Sequence, residues 1–347
     1  MFDMLNISEY IEKIMGGIYL NEPEISVIVK RIQEEQIDPL QFVAFLASME
    51  TRNRLNGIDA KEISYFAKAL RKEKHKEYPF LCTAGTGGDL LKTINVSSTT
   101  AIVAASYGIP TLKHGSTGIT KSYGSRDFFQ ELGIDTTLNL ERVISNVEQT
   151  NFGYFDFSGL VPIKKRAGVR SPLHFIGPLA HPLRVSYKLF GCSNSRIYSK
   201  LPEILSELYP NYLITMNADM DELSIFGPTR IFEKKLTKTE EYMILPQRLG
   251  IINPSLEEIQ RLPDPQESAG IMLRLFSGKD STSRLELIAL NSGAAFYLTN
   301  NVDSIEEGYL CAREHILQGK PYQYLRDNIG RLGDKDKFDQ MEKAYVR

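Results

Sequence analysis

The chain has 347 residues, 42% hydrophobic and 24% charged, which is enough to bury a real core and fits two domains better than one. Its 41 basic residues are balanced by 43 acidic ones, a net charge of -2, so no general field gathers nucleic acid or an anionic membrane, and any phosphate binding must be local. Cys82, Cys192 and Cys311 are too far apart for a thiolate metal cluster and read as packing residues of a reducing compartment; with early charges and no apolar run near the ~18 residues of a membrane span, a cytoplasmic protein is expected.

Residues 1 to about 75 read as helices. Asn21 before Glu22 and Pro23 is a cap and first-turn signal, and Ile25, Ile28, Val29 and Ile32 follow at helical spacing. Asp38 and Pro39 start another helix with Phe42, Val43 and Leu46 on one face. Asp59 with Glu62 has the form of a capping box ahead of the stripe Ile63, Phe66 and Leu70. The run from Arg71 to Lys76, with Glu73 among its cations, reads as a solvated helix end and linker.

Short apolar runs then alternate with longer amphipathic ones. Tyr78 to Thr83, Ile109 to Leu112, Asn151 to Phe157 and Tyr212 to Met216 read as strands; Ser97 to Tyr107, Ser125 to Leu132, Leu140 to Gln149 and Ser195 to Leu208 read as helices. The expected fold class is α/β: a large domain with a mostly parallel sheet flanked by helices, plus a small all-helical domain. Ligands then belong at the carboxyl ends of the strands. There is no internal repeat, and the less periodic stretch from Phe232 to Pro265 is left without assigned elements.

Gly85-Thr86-Gly87-Gly88-Asp89 falls at such a strand end and leads through Asn95, Ser97 and Ser98 into a helix. Backbone without Cβ atoms can point consecutive N-H groups at an anion, and the helix adds its free N-terminal donors and positive dipole end. Taken alone, the same residues also describe a tight turn with Ser97 as a helix cap. Two features favour a pyrophosphate cradle. Lys113-His114-Gly115 follows the next predicted strand, and Asp221-Glu222 lies just past the strand ending at Met216. Neighbouring carboxylates repel unless a cation lies between them, and such oxygen ligands suit Mg²⁺ on a diphosphate. A solvated acidic turn is the plainer alternative for that pair.

The segments GTGGD, INVSSTTA, KHGSTGITKSYGSRDFFQELGI, GVRSPLHFIGPLAHP, DMDELSIFGPT and LNSGAAFYLTNNVDSIEEGYLCARE, in this order, resemble anthranilate phosphoribosyltransferases, and the match runs from about residue 20 to 325. The resemblance implies a homodimer in which a helical domain, residues 1–76, is completed by about 160–187, and a donor-binding α/β domain comprises 77–159 and 188–347. It implies 5-phosphoribosyl 1-pyrophosphate and Mg²⁺ as donor and cofactor, anthranilate as acceptor, and a place in tryptophan biosynthesis. By the same resemblance Gly85, Thr86, Gly87, Gly88, Asp89, Thr93, Asn95, Ser97, Ser98, Lys113 and Ser125 form the donor side, and Ser97, Asp221 and Glu222 hold the metal. His114, Ser116, Tyr154, Lys164 and Gly177 fall on the acceptor side.

The acceptor side departs from the family's pattern. Ser116-Thr117 stands where the family usually has Asn-Arg, Tyr154 where it has a histidine, and Lys164 where an arginine faces the acceptor carboxylate. Lysine keeps the charge but not the planar two-bond fork; Arg166 is a candidate substitute. A different aromatic acceptor is therefore an alternative, and a nucleoside phosphorylase or a non-catalytic nucleic-acid-binding relative are more distant ones. His174 and His181 read as structural or loop-lining, and His315 as a surface residue of a late helix.

Overall fold

Short polar residues placed at the first turns start the N-terminal helices. The computed structural model describes residues 6–73, 75–86, 91, 93–115, 123–158, 172–217, 220–260, 262 and 264–346. Helix α1 is Ile7–Met15, α2 Glu22–Gln33, α3 Pro39–Asn56 and α4 Ala60–Ala69. Asn21 Oδ1 accepts from Glu24 N at 3.1 Å while Glu24 returns a bond to Asn21 N at 3.0 Å, and Asp38 Oδ1 accepts from Leu40 N at 2.8 Å. The stripe Ile25, Ile28, Val29 and Ile32 is buried, as its spacing predicts.

Only half of the expected capping box at α4 forms. Asp59 accepts from Glu62 N at 2.7 Å, but the Glu62 carboxylate turns inward, accepting from Leu20 N at 2.8 Å and pairing with Arg52 through both guanidinium nitrogens. Arg52 is 3% exposed and Glu62 0%, so the carboxylate neutralises a buried cation instead of capping its own helix.

The chain divides into two compact units. One comprises Met1–Glu77, Phe157–Arg184 and Asn194–Tyr209; the other comprises Tyr78–Asp156, Val185–Ser193 and Pro210–Arg347. The stretch Asn194–Tyr209, expected with the sheet, belongs to the helical unit, where Lys68 pairs with Glu207 at 2.8 Å and Arg71 donates to Leu208 O at 2.8 Å. It forms two short helices, Ser195–Tyr198 and Leu201–Ser206, not one, with Pro202 in the first turn of the second.

The second unit is built on a seven-stranded sheet in the order β3-β2-β1-β4-β5-β6-β7. The strands are β1 Glu77–Gly85, β2 Thr111–Gly115, β3 Phe152–Asp156, β4 Arg184–Cys192, β5 Asn211–Met216, β6 Thr229–Lys235 and β7 Lys238–Ile244. β1, β2 and β3 run parallel, as do β4 and β5, while β6 and β7 extend the sheet antiparallel. Helices α5 Val96–Ser106, α6 Ser125–Glu131 and α7 Leu140–Thr150 accompany the first half.

Sequence patterning misplaced β2 by two residues and missed β4, β6 and β7. Pro110 has no N-H to give, although its carbonyl accepts from Leu81 N at 2.8 Å, so regular pairing starts at Thr111. Lys113 and His114 therefore lie inside the strand and do not follow it. In β4 the fully buried Lys188 interrupts the apolar run that would have marked a central strand.

Much of the second unit's core is the helix Ser283–Leu298 against the helix Ile305–Leu317. A Cβ on Gly293 would lie 2.3 Å from Tyr309 N, and one on Gly308 2.4 Å from Gly293 O, so the two glycines let these backbones touch. His315, expected at the surface, is half-buried there. Its Nε2 is 2.8 Å from Ser106 Oγ and its ring stands edge-on to Tyr107, while burial first and Lys320 second push its pKa down to about 4. Among the described residues no helix is long and apolar enough to cross a membrane.

Candidate active site at the carboxyl ends of the strands

β1 ends at Gly85, and Thr86 N donates to Gly191 O of β4 at 2.9 Å. The acidic turn after β5 lies directly against both glycines. A Cβ on Gly85 would be 2.1 Å from Asp221 Oδ2, and a Cβ on Gly191 would be 1.2 Å from the Asp221 backbone oxygen. Residues separated by more than a hundred positions thus meet along one rim of the sheet, formed by the carboxyl ends of its strands, and bare backbone is what lets them meet.

Helix α5 starts at the same rim. Asn95 precedes it without a side-chain cap bond, while Thr83 Oγ1 in β1 donates to Ser97 O at 2.8 Å and ties the first turn to the strand. Thr86 Oγ1 and Asn95 Oδ1 are buried with no hydrogen-bond partner among the described residues. A bound ligand, ion or water is one way such oxygens are satisfied. Ser98 and Thr93 are buried beside them, with Thr93 bridged to Gln260.

Lys113 reaches this rim from β2. It is 4% exposed, and its Nζ donates to Thr83 O at 2.8 Å and to His114 O at 3.3 Å. Burial is the first cause of its lowered pKa, to about 8, with Lys188 acting in the same direction and Cys82 and Asp221 opposing it. His114 Nδ1 is 3.4 Å from Cys82 Sγ, and Lys188 Nζ approaches the same sulfur at 3.2 Å. Cys82 is therefore more than packing: it is the polar centre between a histidine and a buried ammonium.

Gly115 closes β2 against two more of the expected residues. A Cβ there would be 1.9 Å from Ser125 Oγ and 3.1 Å from the Tyr154 hydroxyl. Tyr154 is 2% exposed, packs its ring 4.9 Å from Phe129, and has its phenol pKa pushed up by burial. Gly177 lies in the helix Leu173–Leu179 of the helical unit. His181 is buried and its Nδ1 accepts from Leu183 N at 3.1 Å. Gly87, Gly88, Asp89, Ser116 and Lys164 lie outside the described residues. A cavity of about 610 Å³ lined by Asp135, Arg142, Arg331 and Lys337, among others, shares no residue with this cluster.

Sequence reasoning missed Gly191, Lys188, Asn217 and Asn291. Gly191 and Lys188 sit on the strand that patterning did not find. Asn217 directly precedes the acidic stretch, and Asn291 is a polar residue within an apolar helix, which was the only signal available.

The helical bundle domain of a glycosyl transferase family matches residues 8–73, and the a/b domain of a glycosyl transferase family matches residues 77–322. The anthranilate phosphoribosyltransferase of Shouchella clausii is 31% identical over 330 residues, 91% of this chain and 95% of that protein. The chain belongs to the anthranilate phosphoribosyltransferase family. The Halalkalibacterium halodurans member is 29% identical over 92% of this chain and 96% of its own length. The crystal structure of the Thermus thermophilus anthranilate phosphoribosyltransferase superposes with a TM-score of 0.81 at 27% identity, covering 93% of this chain and 98% of that one. The Saccharomyces cerevisiae anthranilate phosphoribosyltransferase, solved in complex with PRPP and Mg, also gives 0.81 but at 23% identity, a likeness of fold.

Proposed function

We propose that this chain transfers the phosphoribosyl group of 5-phosphoribosyl 1-pyrophosphate to anthranilate and releases pyrophosphate, a step of tryptophan biosynthesis. The observation that carries the reading is the meeting of Gly85 and Asp221: the missing Cβ at the strand end lets the Asp221 carboxylate, an oxygen ligand suited to a divalent cation, seat against the backbone that opens the glycine-rich segment. The names of the relatives support the acceptor.

The residues fit a magnesium-bound pyrophosphate. Asp221, Glu222 and the Ser97 hydroxyl are hard oxygen donors of the kind Mg²⁺ takes, and the buried Thr86 and Asn95 oxygens, without a partner among the described residues, leave acceptors for a ligand to engage. When bound, the cation would neutralise charge on the leaving pyrophosphate. The chain's own share is electrostatic and positional. Gly85, Thr86, Gly87, Gly88 and Asp89 surround the diphosphate, with Thr93, Ser98 and Ser125 supporting the donor side. Asn95 and Lys113 hold the phosphoribosyl part, and the Lys113 ammonium offsets phosphate charge.

Anthranilate brings an uncharged amine near neutral pH, so the reaction needs no strong base, and none has to be found among these side chains. His114, Ser116, Tyr154, Lys164 and Gly177 form the acceptor side of this reading. The buried Tyr154 ring, packed on Phe129, shapes the wall from behind where the family's histidine would offer a ring nitrogen. The homodimer belongs to the same proposal; in the helical unit Met15, Ile18, Leu40 and Leu55 are exposed apolar residues that a partner subunit would cover.

The test follows pyrophosphate release with the donor, anthranilate and Mg²⁺. Turnover is expected in the wild type and its loss in the Asp221→Ala, Glu222→Ala double variant with the far-ultraviolet spectrum retained. Full activity in that variant would refute the metal assignment.

A further inference from the structure

The turn carrying Asp221 and Glu222 is clasped from two sides by asparagine side chains. Asn291, 3% exposed in the helix Ser283–Leu298, accepts from Leu223 N through Oδ1 at 3.0 Å and donates from Nδ2 to Leu223 O at 3.0 Å. The same Nδ2 donates to Leu287 O at 2.9 Å. An N-H on one side and carbonyls on the other fix the amide's orientation, because the flipped form would set donor against donor. Asn217, at the end of β5, accepts from Met220 N at 2.9 Å and donates to Glu222 O at 2.6 Å. Together the two amides satisfy the backbone at residues 220, 222 and 223, on both flanks of Asp221.

Such a clasp has a local cost and a local consequence. Asn291 stands in a helix where Ile288, Ala289, Leu290 and Ala294 are all 0% exposed, and an amide there is stable only while its bonds are made. Two adjacent carboxylates repel each other, so a free turn would relax by spreading them. A turn tied to a core helix cannot spread.

We propose that Asn291, with Asn217 as its counterpart, is a positioning residue for the divalent cation: it sets the spacing at which Asp221 and Glu222 present their oxygens. This rests on the reading of that pair as metal ligands. Mg²⁺ demands a tighter coordination geometry than larger cations, so loosening the clasp weakens Mg²⁺ binding more than Mn²⁺ binding.

The test measures Mg²⁺ and Mn²⁺ affinity by calorimetry on the full chain with inorganic pyrophosphate present, beside the melting temperature. Asn291→Ala is expected to weaken Mg²⁺ binding about tenfold and to shift the balance toward Mn²⁺, the loss typical when a residue orienting a ligand is removed. Tyr297→Phe, on the same helix, is expected to lower the melting temperature with both affinities unchanged. If Asn291→Ala behaves like Tyr297→Phe, the asparagine is purely structural and the proposal fails. Should Asn291→Ala not fold, Asn217→Ala opens the clasp from the other side, and unchanged cation affinity there overturns it equally. Asp221→Asn with Glu222→Gln separates the two readings. Cation binding lost there but intact in the asparagine variants removes only the positioning role, whereas binding intact in all of them removes the metal assignment as well.

Discussion

Asp221 rests on Gly191 so closely that a Cβ on the glycine would fall 1.2 Å from the aspartate's backbone oxygen. Since the obstacle is backbone and not the end of a flexible side chain, Gly191→Ala must displace either β4 or the acidic turn. It is expected to lower stability by about 1–3 kcal/mol, as overpacking does, and to reduce turnover more than tenfold. Kinetics at saturating Mg²⁺ and denaturant unfolding check this. Near-wild-type turnover would show that the acidic turn does not need its seat on β4.

The Arg52 and Glu62 pair yields a prediction about the helical unit alone. Removing one member strands a buried charge, so Glu62→Ala is expected to cost about 3–5 kcal/mol. The double change Arg52→Leu with Glu62→Leu is expected to cost less than either single one. Chemical denaturation of the three variants checks the order, and additive losses would contradict it.

His315 gives a pH dependence of stability with a definite sign. Its folded pKa, about 4, lies below the unfolded value of 6.5 because burial disfavours the imidazolium, so the unfolded chain binds more protons between those values. The contribution is fully present above pH 6.5 and is lost as pH falls toward 4. The fall in melting temperature across that window should be shallower in His315→Gln, and an identical slope in both proteins would show that His315 does not contribute.

Lys113 gives one for donor binding. With its pKa lowered to about 8 by burial, the ammonium is present below that pH and disappears above it, so affinity for the anionic donor is expected to weaken as pH rises from 7 to 9. In Lys113→Met the donor KM should be high and nearly independent of pH across that range.

On the acceptor side, Lys164→Arg with Ser116→Asn is expected to lower the KM for anthranilate severalfold by restoring a two-bond grip on its carboxylate. No change in either kinetic constant would place both residues away from the acceptor.

Local chemistry was legible in the chain from the start. Caps such as Asn21 and Asp38, the helical stripe of α2, the body of β1 from Tyr78 to Thr83 and the acidic pair all announce themselves within a few residues, because caps, periodicity and bare backbone act over short range. Where local signals mislead, a distant partner is responsible. Glu62 has the spacing of a capping residue, yet Arg52 claims its carboxylate. His315 has the look of a surface residue, yet Ser106 and Tyr107 receive it.

The sequence by itself therefore determined the two kinds of domain, the candidate donor-binding motifs and their chemistry. Only the tertiary structure decided that Gly85, Gly191 and Asp221 meet, that Lys188 stands beside Cys82, and that Asn291 grips the residue after Glu222. The reason is physical: a hydrogen bond or a missing Cβ acts over a few ångströms of space, and the crossovers of a largely parallel sheet bring together residues that the chain keeps far apart.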